Sequence, residues 1–146
     1  MILERFMRRL RAEPTPTLVD DGTLTVVGAC FDPARADSAV VEEMRAAGVP
    51  VDTGPFVMRH VVTLPNASAV AEAVRILAPD GWTVDVVGPD RDVVLEPDAA
   101  AGGIGVRVWR QQAITGLEPA RERTRMAGLA QRLGGDALGY EVLARP

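Results

Sequence analysis

The chain carries one histidine, His60, and one cysteine, Cys30, the residue types most often used in acid–base and nucleophilic catalysis. His60 stands between Met58 and Val62 in an alternating stretch, a pattern that favours a hydrogen-bonded histidine in the core or at its boundary. Cys30 ends a predicted strand without a CxxC partner, which favours a small apolar filler. Neither residue has a recognisable triad or metal-ligand spacing around it. The sequence therefore predicts no catalytic residue, no metal site and no enzyme.

A glycine-rich stretch, "AAAGGIGVRVW" at residues 99–109, raises the question of a phosphate-binding loop. Such loops place their glycines after a strand and at the start of a helix, where amide groups and the helix dipole meet the anion. Here Gly102, Gly103 and Gly105 precede a predicted strand, and no Lys-Ser/Thr pair follows. We therefore expect a flexible lead into the strand and no bound nucleotide or other cofactor.

An acidic stretch surrounds the same region and could in principle hold a hard cation. Its members are Asp85, Asp90, Asp92, Glu96 and Asp98. The order of ligands and glycine that an EF-hand needs is absent. The stretch predicts a solvated loop, with a protein contact as the alternative.

Five residues form two candidate surfaces for a partner. Arg121, Arg125 and Arg132 share one side of the predicted last helix, and Arg107 and Trp109 share one face of the predicted sheet. Sheets that bind RNA use several stacking aromatic residues, whereas this face offers only Trp109. We therefore expect no direct binding of nucleic acid, and we expect this sheet face to be covered by a neighbouring element or subunit.

Composition places the chain among ordinary globular domains. It has 146 residues, 47% hydrophobic and 25% charged, with a formal net charge of -4. No apolar run reaches the roughly 18 residues that a membrane span requires, and no signal-peptide pattern opens the chain. These features predict a cytoplasmic protein without a membrane span. The weak and uneven charge fits a charged protein partner or self-association as a homo-oligomer.

The elements that would position these side chains follow one another as strand and helix units. Residues 1–22 predict an amphipathic helix followed by a proline-containing linker, and residues 23–146 predict a single α+β domain. Strands are predicted at 24–30, 56–64, 82–87, 104–111 and 136–143, and helices at about 33–47, 66–77 and 118–133.

Alternation within the predicted strands indicates one apolar face and one mixed face. This is typical of an antiparallel sheet whose helices all lie on one side. Residues 56–144 then predict a ferredoxin-like βαββαβ arrangement, and the unit at residues 24–47 adds a strand and a helix at one edge.

The order of parts over residues 56–144 resembles the RraB family, small bacterial regulators that bind and inhibit ribonuclease E. The resemblance rests on "VMRHVVTL", on "DGWTVDV" and on "LEPARERTRMAGLAQRLGGDALGYEVL". This chain departs from the family where members have Asp-Gly-Trp near the final strand and paired histidines. It has Leu138, Gly139 and Tyr140 at the first place, and Val61 follows His60 at the second. The resemblance implies an α+β regulator without catalytic activity.

Two functions of different classes follow from the sequence. The first is a non-catalytic regulatory protein that acts by protein–protein contact, as an RraB-like modulator of ribonuclease E-type RNA degradation. The alternative is a ferredoxin-like regulatory domain that senses a small molecule at a strand–helix interface or between subunits. An enzyme comes third, and would need an enclosed pocket with several convergent polar side chains.

Overall fold

A computed structural model describes residues 16–87 and 103–146 of the chain. In chain order the elements are β1 (Thr25–Cys30), α1 (Asp37–Ala46), β2 (Phe56–Leu64), α2 (Ala67–Leu77), a 3-10 turn (Ala78–Asp80), β3 (Thr83–Val86), β4 (Ile104–Gln112), α3 (Glu118–Arg132) and β5 (Asp136–Ala144). The predicted helix within residues 1–11 lies outside the described residues. No helix in the two described ranges combines the length and the apolar character needed to cross a membrane.

The five strands form one sheet in the order β1-β5-β2-β4-β3, and every neighbouring pair is antiparallel. This confirms the predicted α+β class with an antiparallel sheet. β2 lies at the centre of the sheet, and all nine of its residues are buried. Any side chain on β2 is therefore held in place from both sides by neighbouring strands.

All three helices pack on one face of the sheet, in two apolar clusters. In the first cluster Leu77 of α2 and Met126 of α3 pack with Val62 of β2. In the second, Met44 of α1 packs with Met58 of β2. Burial of such aliphatic side chains stabilises the fold by roughly 1.5–3 kcal/mol each. Most of the apolar positions that helical spacing predicts are buried against the sheet, namely Val40, Met44, Ala73, Leu77, Met126, Leu129 and Ala130. The predicted positions Ala36, Ala47 and Val74 are instead exposed, because they lie at the helix ends or to the side of the buried stripe.

The opposite face of the sheet is partly covered by the segment that precedes β1. Leu18 is buried against Val57 and Leu143, and its main-chain N–H donates to Gln111 Oε1 at 2.7 Å. A buried ion pair joins Arg59 of β2 to Asp20, with Nη1 to Oδ1 at 2.9 Å. A neighbouring segment therefore covers this part of the face, as the sequence predicted.

Helix starts agree with the sequence in one case and differ in another. Asn66 caps α2, because its side-chain oxygen accepts a hydrogen bond from the Ala69 N–H at 2.9 Å. α1 begins at Asp37, four residues later than the predicted start after Asp32. Asp32 accepts from the Ala34 N–H instead, so it closes a local turn ahead of the helix.

β1 forms an outer edge of the sheet and carries a bulge. Its pairing with β5 passes from Val26 directly to Gly28, so Val27 is the extra residue. A Cβ at Gly28 would lie 2.5 Å from Met44 Sδ. The absence of a side chain there lets α1 pack closely against β1.

Candidate functional site

His60 lies in the centre of the structure, on the helix-covered face of β2. It pairs with Val108 on one side and Tyr140 on the other, and 2% of its surface is exposed. Its ring meets Trp82 edge-on, with centroids 5.5 Å apart, and lies 5.8 Å from the Tyr140 ring. The predicted burial is confirmed. The predicted hydrogen bond is not seen at Nε2, which is buried without a partner among the described residues.

The surroundings of His60 keep its imidazole neutral. Burial, with further contributions from the positive charges of Arg110 and Arg123, lowers the pKa of His60 from 6.5 to about 3. At neutral pH one ring nitrogen carries a proton and the other is an acceptor. The ring can therefore donate or accept a hydrogen bond, but it is a poor general base, because a useful catalytic pKa lies near the working pH.

An ion pair and an aromatic ring hold the Trp82 side of His60. The guanidinium of Arg110 lies 4.3 Å above the centre of the Trp82 ring, a cation–π contact. Arg110 Nη2 donates to Glu122 Oε1 at 2.8 Å, and Nη1 donates to the Asp80 carbonyl at 3.0 Å. Glu122 is 4% exposed. Arg110 therefore ties β4 to α3 and to the turn before β3.

A second group of the same kind holds the Tyr140 side. The Tyr140 hydroxyl donates to Asp37 Oδ1 at 2.7 Å, and Arg123 Nη1 donates to the same oxygen at 3.1 Å. Arg123 also donates to the carbonyls of Arg35 and Asp32, at 2.9 and 2.7 Å. Burial of the phenol, followed by its hydrogen bond to Asp37, raises the pKa of Tyr140. The hydroxyl therefore stays protonated and acts as a donor.

These residues form a polar layer through the core, which we call the polar seam. Its members are Asp37, His60, Trp82, Arg110, Glu122, Arg123 and Tyr140. On β2, Met58 belongs to one apolar cluster and Val62 to the other, with His60 between them. The polar seam therefore runs where the two clusters meet, and its charges are paired within it, as buried charges must be.

A cleft of about 270 Å³ opens beside the polar seam, and we call it the His60 cleft. It is bordered by Pro33, His60, Arg123, Met126, Ala127 and residues 136–139. The pairing of β5 with β2 passes from Gly139 to Ala137, which leaves Leu138 as a bulge in the wall of the cleft. Bulges bend a strand and redirect its side chains, often beside binding sites.

Gly139 is required by this wall. Its φ is 154°, and a Cβ there would lie 2.4 Å from the Cys30 carbonyl oxygen. The close approach of β1 and β5 next to the bulge is therefore possible only with glycine. Cys30 itself is buried, with its Sγ 3.3 Å from the Asp32 carbonyl.

The candidate arginines of α3 lie on its outer side. Arg121 pairs loosely with Glu118, at 3.8 Å, Arg125 pairs with Asp80, and Arg132 donates to the Gly128 carbonyl of its own helix. The structure thus brings the three together along one helix.

The candidate sheet residues Arg107 and Trp109 lie on the face opposite the helices. Trp109 packs beside Leu18, and its Nε1 donates to Asp85 Oδ2 at 2.8 Å. Arg107 is half-buried. The indole is thus held in place by its packing with Leu18 and by its hydrogen bond to Asp85.

The remaining candidate features are placed only in part. Of the glycine stretch, Gly103 directly precedes β4 as predicted, whereas Gly105 lies within β4 and pairs with Thr63. Gly102 lies outside the described residues. Asp90, Asp92, Glu96 and Asp98 lie outside them too. Within residues 16–87 and 103–146, no group of three or more His, Cys, Asp or Glu side chains is arranged to hold a metal ion.

Two members of the polar seam, Arg110 and Glu122, could have been identified from the sequence pattern. Arg110 follows Val106 and Val108 at the same alternation on β4, which points it at the core. Glu122 precedes Met126 by four residues, which places it in the buried stripe of α3. A charge on each of two buried positions predicts a buried ion pair.

Comparison of the chain with models of known protein families, with curated proteins and with solved structures found no match.

Proposed function

We propose that residues 56–144 form a ferredoxin-like unit to which β1 and α1 are added at one edge. The support is the order β5-β2-β4-β3 within the sheet. When the strands are numbered from the start of the unit, with β2 as the first and β5 as the fourth, they lie in the sheet in the order 4-1-3-2. α2 and α3 form the two crossovers on one face.

We propose that the chain is a non-catalytic regulatory protein that acts by contact with another protein through the outer side of α3. The observation that carries this proposal is a stripe along that helix, formed by Leu117, Arg121, Arg125 and Arg132. Leu117 is 73% exposed, the most exposed of the large hydrophobic residues in the described ranges. Its carbonyl accepts from the Arg121 N–H, so the two side chains lie one turn apart.

The composition of this stripe suits a binding surface. Arginine is enriched among residues that dominate protein interfaces, and an exposed leucine adds apolar area that a partner can cover. The ion pairs of the stripe lie at the surface, where such pairs contribute little to stability. Their side chains can therefore change partners at small cost. An acidic or mixed surface on the partner is the complement we propose.

The partner we propose is ribonuclease E or a related component of RNA decay, because of the resemblance to the RraB family. On this proposal the chain acts in the cytoplasm, masks a surface of the nuclease or alters its assembly, and carries out no reaction itself. The proposal includes no direct binding of RNA, because sheets that bind RNA use several stacking aromatic residues and the face with Arg107 offers only Trp109 among the described residues. Self-association of the chain is proposed in addition to the contact with the nuclease and not in place of it.

The test is a charge reversal on the stripe with a matched control. Arg121→Glu with Arg125→Glu should weaken binding to the ribonuclease E of the same organism by about tenfold or more, because like charges would then face each other. Arg45→Glu with Arg75→Glu is the control, since these exposed arginines lie on α1 and α2, away from the stripe, and each pairs with a nearby carboxylate. Both variants should keep their free energy of unfolding within about 1 kcal/mol.

Each result of this test bears on a separate part of the proposal. Equal binding of wild type and stripe variant would remove α3 as the contact surface. No binding of the wild-type chain to the nuclease would reject that partner.

The His60 cleft favours a second candidate function, a regulatory domain that senses a small molecule at the boundary of helix and sheet. His60, whose buried Nε2 has no hydrogen-bond partner in the part of the chain that the structure describes, borders the cleft together with apolar side chains. Apolar walls with few polar groups are the usual composition of a small-molecule site. Thermal unfolding in the presence of fractionated metabolites from the source organism tests this function. A ligand should raise the unfolding temperature with concentration, and no shift with any fraction would reject the sensing function.

A further inference from the structure

We propose that the His60 cleft binds a small, mainly apolar molecule that carries one uncharged hydrogen-bonding group and no negative charge. This inference rests on the second proposed function and names the ligand chemistry of the same site. It follows from three properties of the cleft: an imidazole nitrogen that has no hydrogen-bond partner among the described residues, an apolar wall and the distribution of charge.

The unpartnered nitrogen calls for an uncharged polar group on the ligand. His60 borders the cleft, is 2% exposed, and its Nε2 has no hydrogen-bond partner in the described parts of the chain. A buried polar atom left without a partner costs roughly 1–3 kcal/mol. A neutral imidazole can complete this bond with a hydroxyl, a carbonyl or an amide, because it offers both a donor and an acceptor.

The walls of the cleft call for an apolar body. Apolar side chains at the border of the cleft include Met126 and Ala127 of α3, the bulge residue Leu138 and Pro33. The volume of about 270 Å³ lies just below the range of about 300–1,000 Å³ that is usual for small-molecule sites. A single ring with a short substituent is therefore the size that fits.

The charges around the cleft disfavour an anion. Both terminal nitrogens of Arg123 are already engaged, with Asp37 and with the carbonyls of Arg35 and Asp32. Asp136 is exposed and borders the same cleft, and its carboxylate forms no ion pair within the described ranges. A carboxylate on the ligand would be repelled by the negative charge of Asp136. The guanidinium of Arg123 would not offset this repulsion, because both of its terminal nitrogens already donate to other groups.

The experiment uses three ring compounds that differ only in the polar group: phenol, benzene and benzoate. Each is titrated into ¹⁵N-labelled protein, and two-dimensional NMR follows the main-chain amides of the cleft and the ring nitrogens of His60. Phenol should bind saturably, with shifts centred on His60 and Leu138. Benzene should bind about tenfold more weakly, because one hydrogen bond is lost, and benzoate more weakly still.

Three variants locate the binding. Ala127→Phe adds a ring at the border of the cleft and should abolish the phenol shifts. Ala120→Phe is the matched control, an exposed alanine on the same helix that does not border the cleft, and it should leave them unchanged. His60→Phe keeps an aromatic ring but removes the nitrogen, and should bring phenol down to the affinity of benzene.

The outcomes separate this inference from the sensing function. Benzoate binding as tightly as phenol, or phenol shifts that persist in Ala127→Phe, would overturn the proposed ligand chemistry. In that case a metabolite that still raises the unfolding temperature would keep the sensing function. Phenol binding in the predicted pattern with no active metabolite would support the site and reject the sensing function.

Discussion

Arg110 on β4 donates a hydrogen bond to Glu122 on α3 at 2.8 Å, across the interface between helix and sheet. The carboxylate of Glu122 is buried, whereas 23% of the Arg110 side chain is exposed. The ion pair therefore lies at the boundary between the core and the surface, where water is partly excluded from both charges. Its contribution should be larger than that of a surface pair, because less solvent screens it.

Removal of the Glu122 carboxylate should destabilise the fold. Glu122→Ala leaves the Arg110 guanidinium without its carboxylate partner, and we expect a loss of about 3 kcal/mol in the free energy of unfolding. Glu118→Ala is the control, because it removes the loose and exposed partner of Arg121 and should cost less than about 1 kcal/mol. Urea titration followed by circular dichroism measures both. Equal losses of unfolding free energy in the two variants would show that the Arg110–Glu122 pair contributes no more to stability than the exposed Arg121–Glu118 pair.

Acid should weaken the fold through His60. The pKa of this residue is about 3 in the folded chain and about 6.5 when unfolded. The unfolded state therefore binds more protons than the folded state between these values. Stability from this source is complete above pH 6.5 and is lost as the pH falls toward 3, by up to about 1.4 kcal/mol per pH unit.

His60→Phe isolates this contribution. The variant should lose the part of the pH dependence that belongs to the imidazole, so that the difference in unfolding free energy between wild type and variant changes as the pH falls from 6.5 to 4. Carboxylates titrate in both proteins and cancel in the comparison. Parallel stability curves for wild type and variant over this range would show that His60 is not held neutral.

Two glycines near the end of α3 should respond in opposite ways to alanine. A Cβ at Gly135 would lie 1.8 Å from the Thr63 carbonyl oxygen, whereas a Cβ at Gly128 meets nothing within 4 Å. Gly135→Ala should therefore destabilise by about 2 kcal/mol or more, since backbone must move. Gly128→Ala should stabilise by about 0.5–1 kcal/mol, because it lies within the helix. Thermal unfolding of each variant gives the sign, and a stable Gly135→Ala would place β2 and β5 farther apart than described.

The segment ahead of β1 should loosen when its ion pair is broken. Asp20→Ala leaves Arg59 with Glu141 as its remaining carboxylate, at 3.0 Å. We expect a loss of about 1–3 kcal/mol, because the Arg59 side chain is buried. Amide hydrogen exchange should rise at residues 17–24 before it rises in β2. Unchanged exchange in this segment would show that the apolar contacts of Leu18 hold it alone.

Much of the fold follows from local patterns in the sequence. Alternation within β2 identifies the face that carries His60, and helical spacing identifies Met126 and Leu129 as buried. Asn66 signals the start of α2. These features depend on residues close in sequence, whose geometry is fixed by the period of a strand or a helix.

The composition of the candidate site could not be predicted in the same way. Asp37 and Arg123 are 86 residues apart in sequence, and nothing local indicates that Arg123 and the Tyr140 hydroxyl both donate to the same oxygen of Asp37. The bulge at Leu138 depends on how β5 aligns with β2, which alternation within one strand does not determine. Long-range partners of this kind follow from the packing of the whole sheet.

The bulge at Val27 has a consequence for the behaviour of the protein at high concentration. An evenly paired outer strand offers a template on which the strands of other molecules can align without limit. The extra residue in β1 breaks the regular spacing of the amides along that border, so an incoming strand could match only a short part of it. Fibril growth by addition of strands at this border is thereby disfavoured.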